Sequence, residues 1–312
     1  MLRVRDVRFK YAADKNVLFR EVNMTLKQPI TQIIKQRISV RTYPQKSLEA
    51  KHLAALQECL ASNLSGAFQS KLRFQLITAE PGDADALKGL GTYGQIKHPA
   101  GFIIGAMGTS AKNLEDFGYA MEQIVLLATD LGVGTCWLGG SFQQSNFANA
   151  MQCAASESVP AAISIGYPAE KPSWRDKLIH VVIDTKKRFP WEQLFFLDSF
   201  QTPLTQAQAG QYATPLEMVR LAPSASNKQP WRIVTVGNAF HFYLQRTMKY
   251  HPNGKGWFQT ADMQRMDIGI AMCHFELTAR EQGLQGTWKI VDPGIAPLPA
   301  QTEYVASWYV NA

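Results

Sequence analysis

The 312-residue sequence has no apolar run that could cross a membrane; stretches such as Gly101–Met107 fall far short of the ~20 residues a span needs. Its four cysteines (Cys59, Cys136, Cys153, Cys273) form no CxxC pair, which excludes a disulfide framework and a zinc site of the usual spacing. GxSxG, HExxH and GxxxxGK[ST] are all absent, and the six histidines are dispersed. The usual hydrolase, zinc-protease and phosphate-loop chemistries therefore have no motif to stand on. Charge is sparse as well, at 18% of residues against 46% apolar, a balance that builds a packed core rather than a disordered chain. The 32 Lys and Arg exceed the 25 Asp and Glu by seven, but they are scattered, with the densest cluster at Lys186-Lys187-Arg188. Nucleic acid would want a longer basic stripe with interleaved aromatics, so the excess points to a solvated surface or an anionic small ligand. The opening MLRVRDVRFKY is charged where a signal peptide would be apolar, and a cytoplasmic protein is expected.

What the chain does contain is an internal repeat. Asp116–Trp137 and Asp267–Trp288 align without a gap at an offset of 151, and eight of 22 positions are identical. Both copies place apolar residues at three- and four-residue steps, so each predicts a long helix. Each then reaches a glycine, Gly132 or Gly283, suited to the left-handed C-cap, and a short strand should follow. The chain is therefore expected to comprise an extension (1–23), a first half (24–200) and a second, reduced half (201–312). The first half predicts helices over 29–36, 48–62 and 146–151, and strands over 73–78, 101–106, 160–165 and 179–183. The second predicts a helix over 214–221, a hairpin turning at Gly237-Asn238, and a last strand over 305–310.

Several short stretches carry chemistry. RISVR sets Arg37, Ser39 and Arg41 at alternating positions of an extended segment, two guanidinium forks and a hydroxyl suited to a phosphate. TCWLGGS puts Leu138, Gly139 and Gly140 at a strand end, where glycine allows a flat ligand close to the backbone. APSASNKQPW gathers Pro223, Ser224, Ser226 and Asn227 in a turn between a helix and a strand. Lys186 and Arg188 could complete a phosphate site. Read singly, these stretches also fit blander accounts: a solvated basic strand for RISVR, a strand-ending turn for TCWLGGS, a polar connector for APSASNKQPW and a solvated turn for Lys186–Arg188. GLGTYG at 89–94 matches GxGxxG but lacks the strand that a dinucleotide fold places before it, so it is read as a turn.

Together these stretches resemble the FMN-dependent nitroreductase family. RISVR-TYP resembles its R-x-S-x-R motif, APSASNKQPW its PS-x-x-N-x-QPW loop, and GYAMEQIVLLATDLGVGTCWLGG its central helix and flavin-facing segment. IGYPAEKP, with Lys186 and Arg188 downstream, resembles its C-terminal section. The family is normally a homodimer with two FMN sites at the interface. Here the first half has SNLSGAFQSKLRF where the asparagine loop belongs, and the second lacks R-x-S-x-R. The losses are complementary, which is what keeping one composite pocket requires.

The resemblance implies an α+β fold of nitroreductase-like, three-layer α/β/α type, with two related halves packed through their repeat helices as an intramolecular pseudo-dimer. It implies one FMN held by Arg37, Ser39, Arg41, Leu138, Gly139, Gly140, Lys186, Arg188, Pro223, Ser224, Ser226 and Asn227. No side chain need act as nucleophile or acid, and no metal is expected. Partners would be NAD(P)H (NADH or NADPH) and a nitro, quinone or similar flat acceptor, with no nucleic acid and no membrane. The chain would be a monomer mimicking a homodimer. The alternatives are an FMN store or sensor with little turnover, and a degenerate relative without cofactor.

Overall fold

The protein is seen in a computed structural model that describes residues 26–311 except 63, 79–86, 88–89, 141, 170–186 and 253–260. The expected extension, the expected strand over 179–183, and Lys186 lie outside the described residues. Helices α1 (Ile30–Gln36) and α2 (Ala50–Ala61) lead into β1 (Leu72–Thr78) and β2 (Gly101–Met107). Then come α3 (Asn113–Asp130), β3 (Gly134–Leu138), α4 (Gln144–Ala150) and β4 (Ala162–Gly166). The first sheet has the order β1-β2-β4-β3, antiparallel throughout.

The rest of the chain forms β5 (Phe195–Leu197), α5 (Gln206–Ala209), α6 (Ala213–Leu221), β6 (Trp231–Val236) and β7 (Ala239–Gln245). It ends with α7 (Met263–Glu281), β8 (Gly286–Lys289) and β9 (Thr302–Val310). The second sheet has the order β5-β6-β7-β9-β8. Without β5, its strand order and connectivity repeat those of the first sheet, with a long helix between the second and third strands of each. β5 pairs in parallel with β6, so a segment placed in the first half by sequence adds an edge to the other sheet. Three residues carry no period, which is why neither β5 nor the four-residue α5 was anticipated.

Both long helices end as their glycines dictate: Gly132 has φ +74° and Gly283 φ +77°. The helices pack against each other at glycines too. A Cβ on Gly118 would strike the carbonyl oxygen of Met266, and one on Gly269 that of Glu115. From this contact one apolar core runs outward to both sheets, through Phe117, Ile124 and Ile163 on one side and Phe275, Phe242 and Trp308 on the other. A smaller core on the far face of the first sheet joins Phe102, Leu138 and Phe142 to Phe147 of α4.

Periodicity predicts an apolar helix interface; the structure adds carboxylates to it. Glu122 and His274 are fully buried, with Oε1 and Nε2 3.0 Å apart. Tyr119 Oη donates to Glu276 Oε2 at 2.8 Å. His274 is a buried core histidine held from both sides, its Nδ1 lying 2.9 Å from the Met218 carbonyl.

Candidate active site

The start of α1, the helix that leads into RISVR, is anchored by both long helices. Asp130, at the end of α3, accepts from Lys27 N (2.7 Å) and Gln28 N (3.1 Å), while Glu281, at the end of α7, accepts from Ile30 N (2.5 Å). Beyond α1 the chain runs extended beside β3, where Val40 N donates to the Thr135 carbonyl at 2.8 Å. This fixes the alternation of RISVR: Ile38 points out at 61% exposure, and Ser39 and Arg41 line a cavity.

That cavity has a volume of about 680 Å³. Ser39, Arg41, Trp137, Gly139 and Gly140 line it from the first half by sequence, and Pro223, Ser224 and Ser226 from the second. Seven of the residues singled out from sequence therefore meet in one space. Leu138 does not line it: as the strand alternates, its side chain turns into the core on the far face of the first sheet.

Arg37, Asn227 and Arg188 do not line it either; Asn227 and Arg188 meet each other beside it. Asn227 Nδ2 donates to the Lys187 carbonyl at 2.8 Å, and Arg188 Nη1 donates to Asn227 Oδ1 at 3.3 Å. Buried Gln229 adds to the clamp, its Oε1 accepting from Phe189 N at 2.8 Å. The two amides of N-x-Q thus hold the strand of chain that carries Arg188. The loop achieves this at a conformational cost: Ser226, Asn227 and Gln229 have φ of +50°, +54° and +47°, left-handed values that side chains adopt reluctantly.

The basic residues form a poorly solvated cluster. Burial pushes the Arg37 guanidinium below its ordinary value; Glu122 partly offsets this, and Arg41 adds to it. Burial likewise lowers Arg188 to about 10, with Arg37 and Arg220 contributing. Arg37 Nε is buried and has no hydrogen-bond partner among the described residues. Like charges held together away from water, with a donor left over, call for an anion.

The sequence reading missed the wall supplied by the second half: Thr247, Met248, Lys249 and Tyr250 after β7, and Met263, Gln264, Met266, Asp267 and Ile270 of α7. Met263 lies close over Gly139: a Cβ there would meet its sulfur and the methionine side chain would have to shift. Only for Asp267 did a sequence signal exist, since it is one of the repeat identities. Among the described residues no cluster of His, Cys, Asp or Glu could hold a metal, and no helix is long and apolar enough to cross a membrane.

Fold and site define an α+β protein with a cavity lined jointly by two sheet-and-helix units. The family model described as "Putative TM nitroreductase" matches residues 29–279, and the chain belongs to this nitroreductase family, whose members are flavin-dependent oxidoreductases. Among solved structures, a nitroreductase of Thermotoga maritima MSB8 is similar at 21% identity and TM-score 0.56, covering 96% of this chain and 100% of its own. A Desulfovibrio desulfuricans nitroreductase in complex with FMN is similar at 24% identity, TM-score 0.38, with 52% of this chain and 99% of that one covered. A Bacteroides fragilis nitroreductase with bound FMN is similar at 21% identity, TM-score 0.36, with 47% and 91% covered. No curated protein sequence matches the chain.

Proposed function

We propose that the chain arose by duplication of a nitroreductase unit, acts as a single-chain pseudo-dimer, and holds one FMN in the cavity between its halves. It would use that flavin to pass hydride from NADH or NADPH to a flat acceptor such as a nitro compound or quinone. The supporting observation is the composition of the cavity: Ser39, Arg41 and the glycine pair come from one half, and Pro223, Ser224, Ala225 and Ser226 from the other.

The residues present fit this group. Arg37, Ser39, Arg41 and Arg188 would take the phosphate, and the orphaned Arg37 Nε offers a donor for it. Gly139, Gly140 and Trp137 would border the ring, with Pro223, Ser224 and Ser226 opposite. Bound FMN supplies two-electron hydride chemistry, so no side chain need act as nucleophile. The protein's part is placement. Asn227 and Gln229 fix Arg188, the glycines allow close approach, and Met263 and Met266 keep water from the inner wall. Cations beside the cavity favour negative charge on whatever binds there.

The test is an absorbance spectrum. Purified protein should be yellow, or become so with added FMN, and should bleach with NADH or NADPH. Protein that stays colourless after reconstitution refutes the assignment.

A further inference from the structure

The repeat places one aspartate in each half, and the two are used differently. Asp116 of α3 is saturated: Oδ1 accepts from Phe68 N at 2.8 Å and Oδ2 from Ser70 N at 2.7 Å. Its counterpart Asp267 of α7 does the same job with one oxygen only, Oδ1 accepting from Ala225 N at 2.9 Å. Asp267 Oδ2 is buried and has no partner among the described residues. The side chain is 3% exposed and lines the cavity. A buried polar atom without a partner is costly, and it is found here in the copy whose loop borders the cavity.

We propose that Asp267 is a ligand-binding residue whose Oδ2 hydroxyl donates a hydrogen bond to an acceptor atom, a carbonyl oxygen or ring nitrogen, of the flat heterocycle in the cavity. The inference rests on the FMN assignment above and adds a contact to it.

The surroundings favour the protonated acid. Burial raises the Asp267 carboxyl well above the usual carboxylate range, and the nearby charge of Asp262 adds to the effect. Asp262 keeps its own charge partner, Arg246, at 2.8 Å. Tyr250, from the loop after β7, is pushed the same way as Asp267 by burial and by both acids. The cations that share the cavity wall are Arg41, Lys228 and Lys249. Across the helix contact, Glu115 is bound to Arg265. With Oδ1 taken by a backbone donor, the proton belongs on Oδ2, where it points away from Ala225 N.

Asparagine separates this role from a merely structural one. In Asp267→Asn, Oδ1 can still accept from Ala225 N while Nδ2 still donates. In Asp116→Asn, the amide nitrogen must face a backbone N–H. Melting temperatures of the two variants without cofactor, and FMN affinity by fluorescence titration from pH 6 to 9.5, test the idea. Asp116→Asn should melt lower than the parent and Asp267→Asn close to it. Asp267→Asn should bind FMN within about threefold of the parent at pH 6, whereas Asp267→Ala should lose about tenfold, one hydrogen bond's worth. Parental affinity should fall as pH rises and the carboxyl ionises, and that of Asp267→Asn should stay level. Superposed pH profiles, or an Asp267→Asn variant as weak as Asp267→Ala, would overturn the proposal. A parent that binds FMN while doing either shows that this contact, and not the cofactor assignment, is at fault. A parent that binds no FMN overturns both.

Discussion

Gly118 and Gly269 face each other's helix in a reciprocal contact. Gly118 lies on the Met266 carbonyl and Gly269 on the Glu115 carbonyl, and each pair is converted into the other by the 151-residue offset of the repeat. Such an exchange of i with j is what a two-fold interface produces, and it supports the pseudo-dimer proposed above.

Adding a side chain at either glycine should therefore push the helices apart to a similar degree. Gly118→Val and Gly269→Val are each expected to lose about 3 kcal/mol of stability. Denaturant titration of both variants measures this, and a variant within about 0.5 kcal/mol of the parent contradicts the contact.

Arg188 is placed by Asn227 of the second half, and Arg37 stands near enough for its charge to act on Arg188. Arg37→Ala, Arg188→Ala and Asn227→Ala should each weaken FMN binding roughly tenfold or more, the scale of one charge-assisted hydrogen bond. Because Asn227 acts through Arg188, the double variant Arg188→Ala/Asn227→Ala should bind about as well as the weaker single one. Equilibrium dialysis against FMN gives all four affinities. An effect of Arg37→Ala without one of Asn227→Ala would break the composite site.

Glu122 links the halves at the centre of the interface, meeting His274 through one oxygen and accepting from Trp137 Nε1 at 2.9 Å through the other. Glu122→Leu leaves His274 Nε2 unmatched in a dry interior and removes the acceptor of the Trp137 indole, and should cost about 3–5 kcal/mol. The double variant Glu122→Leu/His274→Leu should recover part of that loss. Urea unfolding followed by tryptophan emission tests both.

At the rim of the first sheet, Arg73 binds Glu157 at 2.7 Å, and Ala154 N also donates to that carboxylate. These contacts lower Glu157 from 4.5 to about 2. A carboxylate lowered on folding stabilises the protein above its unfolded pKa, and that contribution fades as pH falls from about 4.5 toward 2. Glu157→Gln should be less stable than the parent at pH 7, with the gap closing across that window in melting curves.

Much of the site is written in short segments. R-x-S-x-R needs only extended backbone to present alternate side chains on one face, so Ser39 and Arg41 could be placed without tertiary information. PSASN announces a turn through its own residue types. Leu138 shows the limit: a residue's motif membership says nothing about which sheet face its strand register gives it. The Met263–Ile270 wall was equally out of reach, because its residues look like any helical apolar stripe until a partner surface is known. β5 is a strand only because β6 offers it an edge.

By itself the sequence determined the two long helices, their glycine ends and the repeat that relates them, since local periodicity and φ preferences act over a few residues. Only the tertiary structure decided which faces meet. Packing glycine on carbonyl brings α7 over the first sheet's glycine pair, and that long-range contact, with no local cause, closes the cavity and leaves one of two matching aspartates with an oxygen to spare.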